Sequence, residues 1–251
     1  MNIFDIEIEN YTYDDMLNRI RDSIEEKNKL SFTYVNTFVA VSASQNDSLK
    51  KDLNKISSLY IDGIGMYWAL RALNTSVSIK ERINATDLNY RILDLALESN
   101  YKVFFFGGGA EAHEKLHAKL SQTHPHIKIT GAIKRSDYNN QEVLNLINSS
   151  NPDILFVGLG TPEQEKWISA NFEKINVPIV VGVGSWIEFA TGVYPRAPMI
   201  MRKLGFEWLF RLILEPGRLW KRYLIGIPVF IYFLTKEYFN KRDNSNEKCV
   251  N

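Results

Sequence analysis

Short apolar runs rich in β-branched and aromatic residues alternate with longer stretches in which apolar positions recur at helical spacing. The runs predict strands at 31–35, 57–61, 102–106, 127–130, 153–157 and 178–181. Between them the spacing predicts helices at 37–53, 65–73, 86–99, 110–122, 141–149 and 162–171. Apolar strands separated by single helices imply a mostly parallel sheet covered on both faces, an α/β fold of Rossmann-like type. In such sheets ligands lie outside the carboxyl ends of the strands, so the loops after strands are where chemistry is expected.

The strand signal stops near residue 195. Tyr194-Pro195-Arg196-Ala197-Pro198 marks a break before a helical segment running to about Phe239. This divides the chain into a Rossmann-like domain at 1–195 and a helical C-terminal appendage at 196–251. Pro216-Gly217 is expected to split the appendage into two helices, and the polar stretch from Lys241 is expected to fray.

Charge sharpens that division. Of 30 Lys and Arg and 29 Asp and Glu in 251 residues, eleven basic and five acidic side chains lie from Arg196 onward, leaving nineteen against twenty-four before it. A basic appendage on an acidic body suits anionic lipid headgroups, and the absence of any nucleic-acid reading motif argues against nucleic acid as a partner. The apolar run 223–234 has twelve residues with Gly226 and Pro228 inside it, short of the roughly 17–25 that span a bilayer. It is expected to lie on a membrane or pack on the body. One cysteine, Cys249, leaves no intrachain disulfide to form, and the N-terminal stretch has no apolar core of a secretion signal, so a cytoplasmic location is expected.

Five predicted strand ends carry unusual residues: Asn36-Thr37, Asp62-Gly63-Ile64-Gly65, Gly107-Gly108-Gly109, the octapeptide 158–165 and Gly182-Val183-Gly184-Ser185. Glycine between a strand and a helix exposes backbone N–H groups that can hold a diphosphate, although a tight turn uses glycine for steric reasons alone. The spacings match neither the dinucleotide nor the P-loop fingerprint. Asp62 follows an apolar strand beside a glycine, where it serves either as a general base or as a cap of the following helix. Thr161, Pro162 and Gln164 have the spacing of a capping box, which leaves Glu165 free to face a cleft. Asp14 and Asp15 fall at a helix start, complementing its dipole. His113, His117, His124 and His126 lack metal-ligand spacing and read as a solvated face. No Asp-x-Asp pair for a divalent cation is present. The candidates to neutralise a leaving diphosphate are therefore Arg196, Arg211, Arg218, Lys221 and Arg222, with Arg218 and Arg222 on one helix face.

In their order these segments resemble the WecG/TagA/CpsF glycosyltransferases over nearly the whole chain. The resemblance rests on Asn36, IDGIG at 61–65, Glu81-Arg82 with Asp87-Leu88, FFFGGG at 104–109, PDILFVGLGTPEQEKWI at 152–168, GVGSWIEFATG at 182–192, RAP at 196–198 and EWLFRLILEPGR at 207–218. It implies an inverting, metal-independent transfer from a UDP-sugar, most naturally N-acetylmannosamine, to a lipid-diphosphate-linked N-acetylglucosamine, with no cofactor. It further implies Asp62 as base and Arg211, Arg218 and Lys221 as diphosphate ligands. The implied substrate contacts are Asn36, Arg82, Asp87, Gly107, Gly108, Gly160, Gln164, Glu165 and Arg196. The appendage would close the site and touch the inner face of the cell membrane; a homo-oligomer is compatible with all of this. The chain departs from the family pattern at Tyr34, Ala85, the segment 131–138 and Ile187-Glu188, which points to a different sugar. The rival functions are a nicotinamide-dependent sugar-nucleotide oxidoreductase and a non-catalytic membrane-associated subunit.

Overall fold

A computed structural model describes residues 1–73, 78–137 and 139–250, with side chains for all of these except 137 and 241–250. The chain opens with a hairpin of β1 (Asn2–Ile3) and β2 (Ile6–Glu7), turned by Phe4 and Asp5 at positive φ, and then α1 (Tyr13–Glu25). Neither strand is long enough to leave a periodic trace in the sequence. Asp15 does more than face the α1 dipole: Thr12 and Asp15 exchange side-chain and backbone hydrogen bonds in a capping box.

The alternation then runs β3 (Leu30–Val35), α2 (Thr37–Ser44), α3 (Asp47–Leu53), β4 (Ser58–Ile61), α4 (Ile64–Leu73), α5 (Ala85–Glu98), β5 (Lys102–Gly107), α6 (Ala110–Thr123), β6 (Lys128–Ile133), α7 (Asn140–Ser150), β7 (Ile154–Gly158), α8 (Glu163–Asn171), β8 (Ile179–Gly182) and α9 (Trp186–Ala190). The expected helix over 37–53 is two helices. Asn46 at the junction accepts hydrogen bonds from the Ser48 and Leu49 N–H groups, a local bond that competes with helix continuation and restarts the chain as α3.

Among the described residues β3 to β8 form one sheet in the order β4-β3-β8-β7-β5-β6, every pair parallel. Successive side chains of a strand face opposite ways, so each strand feeds two cores. Phe104, Phe106, Leu155 and Val157 join α2, α3, α4, α7, α8 and the hairpin on one face. Val103, Phe105, Ile154 and Phe156 join α1, α5, α6 and α9 on the other, where the Phe105 and Phe156 rings stack at 5.3 Å. Parallel pairing brings all six carboxyl ends to one edge. There the chain leaves β3 outward to β4, while β8 lies on the other side of β3, which opens a crevice between them.

Beyond Tyr194 the described chain is helical: α10 (Met199–Leu204), α11 (Glu207–Leu214), α12 (Pro216–Trp220), a π turn at Lys221–Ile225 and α13 (Gly226–Val250). The expected break falls at Glu215, with Pro216 at the first position of α12, where its missing N–H costs nothing. Gly226 and Pro228 do not stop the helix. The widened turn lies where the Pro228 ring would meet the carbonyl of residue 224 in a regular helix. The stretch from Lys241, expected to fray, continues α13, and the Cys249 side chain lies outside the described ones.

The apolar run 223–234 divides between two environments. Phe230 is 4% exposed in the core beside α2 and α4, with Phe233 at its flank and Phe4 packed edge-on against both rings. Leu224, Ile225, Ile231 and Tyr232 face outward. Among the described residues no helix is long and apolar enough to cross a membrane.

Candidate active site

The loops at the carboxyl edge of the sheet enclose a cleft of about 420 Å³, roofed by α11, α12 and the π turn. Asp62 lies in its wall just past β4. Its Oδ1 accepts the Ala85 N–H at 2.9 Å, so it anchors the start of α5 rather than capping α4, the helix that follows it. It takes part in no ion pair among the described residues. Burial pushes the Asp62 carboxyl above the usual carboxylate range; the Ala85 N–H opposes this, the Glu207 charge adds to it, and Arg222 and the Asn36 amide oppose it. A carboxylate of raised proton affinity is suited to taking a proton from an alcohol. Asn36 lines the cleft and also caps α2, accepting the Val39 N–H at 3.1 Å.

The cations come from the roof. Arg211 donates to Ser185 Oγ at 3.1 Å and lies over the Phe189 ring, while its Nε is shielded from solvent without a partner. Arg218 is held by both Glu215 oxygens, at 2.8 and 2.9 Å, and lies over Tyr194. Lys221 lies over Trp220, and Arg222 over Phe38. All four border the cleft. Arg218 and Arg222, expected on one helix face, go to different partners.

Several residues expected to contact substrate are engaged by other groups of the protein. Gln164 and Glu165 are 0% exposed and lie beneath the cleft wall. Gln164 donates to Thr33 Oγ1 and Glu165 Oε1, and its Oε1 accepts the Gly184 N–H at 2.7 Å, which fixes the loop after β8. The expected capping box is absent: α8 begins at Glu163 without a side-chain cap, and Thr161 donates instead to Glu165 Oε1. Arg82 and Asp87 do not border the cleft. Arg82 donates to the Arg202 and Lys203 carbonyls at the end of α10, and Asp87 accepts from Arg196 at 2.9 Å and Arg202 at 3.3 Å. Arg196 also meets Glu207 at 3.5 Å, so its charge ties the start of the appendage to α5 and α11.

The glycine loop after β5 serves packing. A Cβ on Gly107 would strike the Gly158 backbone and one on Gly108 would press on Ile187. The Gly109 N–H is already taken by the Glu188 carboxylate at 3.2 Å. Gly160, at φ +80°, does border the cleft, with open space where a Cβ would stand. Of the histidines, His117 and His126 are exposed, but His113 Nε2 bonds the Gly107 carbonyl and His124 is buried against Asp94. No group of three or more His, Cys, Asp or Glu among the described residues could hold a metal ion.

Other cleft residues had no strand-end signal. Tyr34 points its hydroxyl at Gly184, and burial and the Glu165 charge raise its proton affinity. Phe38 and Phe189 are platforms for guanidinium groups, and Arg135 pairs with Glu163 at 2.7 Å in the wall. With both side chains about half exposed, that pair contributes only about 0–1 kcal/mol.

Burial raises the Glu165 carboxyl to about 7, against the hydrogen bonds from Gln164 and Thr161, and its Oε2 has no partner. The folded chain therefore holds a proton that the unfolded chain releases near its ordinary value of 4.5. Stability falls as pH rises from that value to about 7 and stays reduced above it. Glu165→Gln is expected to melt several degrees higher than the parent at pH 8 and close to it at pH 4.5, read by thermal unfolding at both values; an equal offset at the two would contradict the assignment.

The family model for glycosyl transferases of the WecG/TagA/CpsF family matches residues 1–244. Curated relatives named N-acetylglucosaminyldiphosphoundecaprenol N-acetyl-beta-D-mannosaminyltransferase, from Staphylococcus aureus strains MRSA252, NCTC 8325 / PS 47 and COL, are each 29% identical over 240 residues, covering 94% of this chain and 92% of theirs. The match runs from the hairpin through the roof of the cleft, and this chain belongs to the WecG/TagA/CpsF family of glycosyltransferases.

Proposed function

We propose that the chain transfers a sugar, N-acetylmannosamine foremost, from a UDP-sugar to a lipid-diphosphate-linked N-acetylglucosamine, with inversion and without a metal ion. The observation that carries this reading is the Asp62 carboxylate at a strand mouth, in no ion pair among the described residues, opening on a cleft roofed by Arg211, Lys221 and Arg222. Asp62 accepts the proton of the acceptor hydroxyl as that oxygen bonds to the anomeric carbon from the face opposite the diphosphate. The bond from the anomeric carbon to the phosphate oxygen breaks, and UDP departs with its electron pair. Guanidinium and ammonium groups fixed in advance stabilise the growing phosphate charge without rearranging. The relatives' names supply both the donor sugar and the acceptor of this reading.

Residues 1–195 form the catalytic domain in this proposal, and 196–251 an appendage that covers the cleft. Exposed Ile200, Leu204, Ile213, Leu224 and Ile231, with Lys203 and Lys236 among them, suit a peripheral site on the cytoplasmic face of the membrane, where the lipid-linked acceptor would be met. The nicotinamide reading is disfavoured, because Glu188 already occupies the Gly109 N–H that a dinucleotide pyrophosphate would need.

A panel of UDP-sugars with a short-chain lipid-diphosphate-N-acetylglucosamine tests the proposal. UDP release with one donor, undiminished by EDTA, and thermal stabilisation by UDP but not NAD are expected. No release with any donor, or stabilisation by NAD alone, would overturn it.

A further inference from the structure

The family resemblance assigns the diphosphate to Arg211, Arg218 and Lys221 and leaves Arg222 without a task. The structure separates these cations by what already holds them. Arg218 is gripped at both ends of its fork by Glu215, and Arg211 is bonded to Ser185. Lys221 is exposed beside Trp220. Arg222, like Arg211 and Lys221, joins no ion pair among the described residues, and its Nε, like that of Arg211, is shielded from solvent without a hydrogen-bond partner there; where Arg211 has the Ser185 hydroxyl, Arg222 is met by the Phe38 and Tyr223 rings. Arg222 is partly buried, and a charge drawn partly out of water without a counter-charge carries a desolvation cost, so its position calls for an explanation.

Two features place it. The π turn at Lys221–Ile225 shifts the helix register by one residue just where Arg222 leaves the backbone. Phe38, in the first turn of α2, then receives the guanidinium on its ring face, 4.6 Å from the centroid. That turn of α2 is capped by Asn36, which borders the same stretch of cleft as Asp62.

We infer that Arg222 is a positioning residue for the proposed transfer: held over Phe38 by the π turn, it is the cation that keeps Asp62 ionised and ready to accept a proton. The inference rests on the reading of Asp62 as base.

The groups facing Asp62 support it. From α5 comes the Ala85 N–H, and from the end of β3 the Asn36 amide. Tyr34 on β3 and Tyr60 on β4 bring hydroxyls that burial keeps protonated. Glu207 on α11 brings a negative charge, itself engaged by Arg196 and by Asn84 Nδ2. Burial and Glu207 both favour the protonated acid, and of the groups that oppose them Arg222 carries the positive charge. Because Arg222 belongs to the roof, docking of the C-terminal helices and activation of the base become one event.

The test is the pH dependence of kcat/KM for UDP release by Arg222→Gln and Arg222→Lys, beside a ¹³C NMR titration of the Asp62 carboxyl in the full chain. In Arg222→Gln the acidic limb and the carboxyl titration should both move up by about one pH unit. Arg222→Lys should leave both near the parent value, even if the lost stacking lowers the rate. Phe38→Leu, which removes the platform but no charge, should move them the same way by less, and it serves as the readout should Arg222→Gln fold poorly. A loss of rate in Arg222→Gln with both titrations unmoved, or an equal shift in Arg222→Lys, would overturn the inference. Absence of UDP release by the parent with every donor would instead overturn the transferase reading, and the carboxyl titration would still judge Arg222.

Discussion

Asp62→Asn is expected to lower turnover by about 10²–10⁴-fold, the range over which a positioned base contributes, while UDP binding survives. The amide keeps an oxygen to accept the Ala85 N–H, so the start of α5 and the wall of the cleft are preserved. What is lost is the lone pair that takes the acceptor's proton. Steady-state UDP release beside calorimetric UDP binding separates the two effects. Turnover within tenfold of the parent would place the base elsewhere, and loss of UDP binding would make Asp62 a structural group. In the parent, burial of this carboxyl is expected to raise the acidic limb of the rate profile above the ordinary aspartate range, with activity falling as pH drops through it.

Arg211→Ala is expected to cost about 10²–10³ in kcat, comparable with removing one fixed donor from a site where charge develops. Arg211 joins the roof to the floor: its guanidinium spans from α11 to the Ser185 hydroxyl after β8 and lies over Phe189. Its shielded Nε is a donor waiting for an acceptor, which a departing phosphate oxygen would supply. The loss should appear mainly in kcat, because the charge it answers grows in the transition state. Arg211→Lys is expected to restore little, since an ammonium can neither stack on Phe189 nor use a planar fork. A change confined to KM would instead assign Arg211 to ground-state binding.

The strands of the main sheet were legible to within a few residues because parallel strands buried on both faces leave continuous apolar runs, as in Lys102–Gly107. The hairpin at residues 2–7 was not, since strands of two residues carry no period. The loops after strands correctly drew attention to one edge of the sheet, and Asn36, Asp62 and Gly160 border the cleft found there. A motif such as GLGTPEQE, however, mixes residues that border a cavity with residues that brace it. Gln164 and Glu165 belong to the second kind, and only burial tells them from the first. Arg82, Asp87 and Arg196 are a similar case: the resemblance implied substrate contacts, and here they join the body to the appendage. Phe38 and Arg135 gave no signal, because their place depends on packing between elements far apart in the chain.

The roof is tethered at two points of opposite character. At its near end Arg196 and Arg202 clasp Asp87 while Arg82 grips the end of α10; at its far end Phe230 and Phe233 wedge against Phe4. A span secured at both ends cannot swing like a door. For the proposed sugar nucleotide to enter, the span is expected to arch between its moorings, bending at the helix junctions Gly205, Glu215 and the π turn. Salt would loosen the first mooring and leave the second intact, so ionic strength acts on how far that arch can rise.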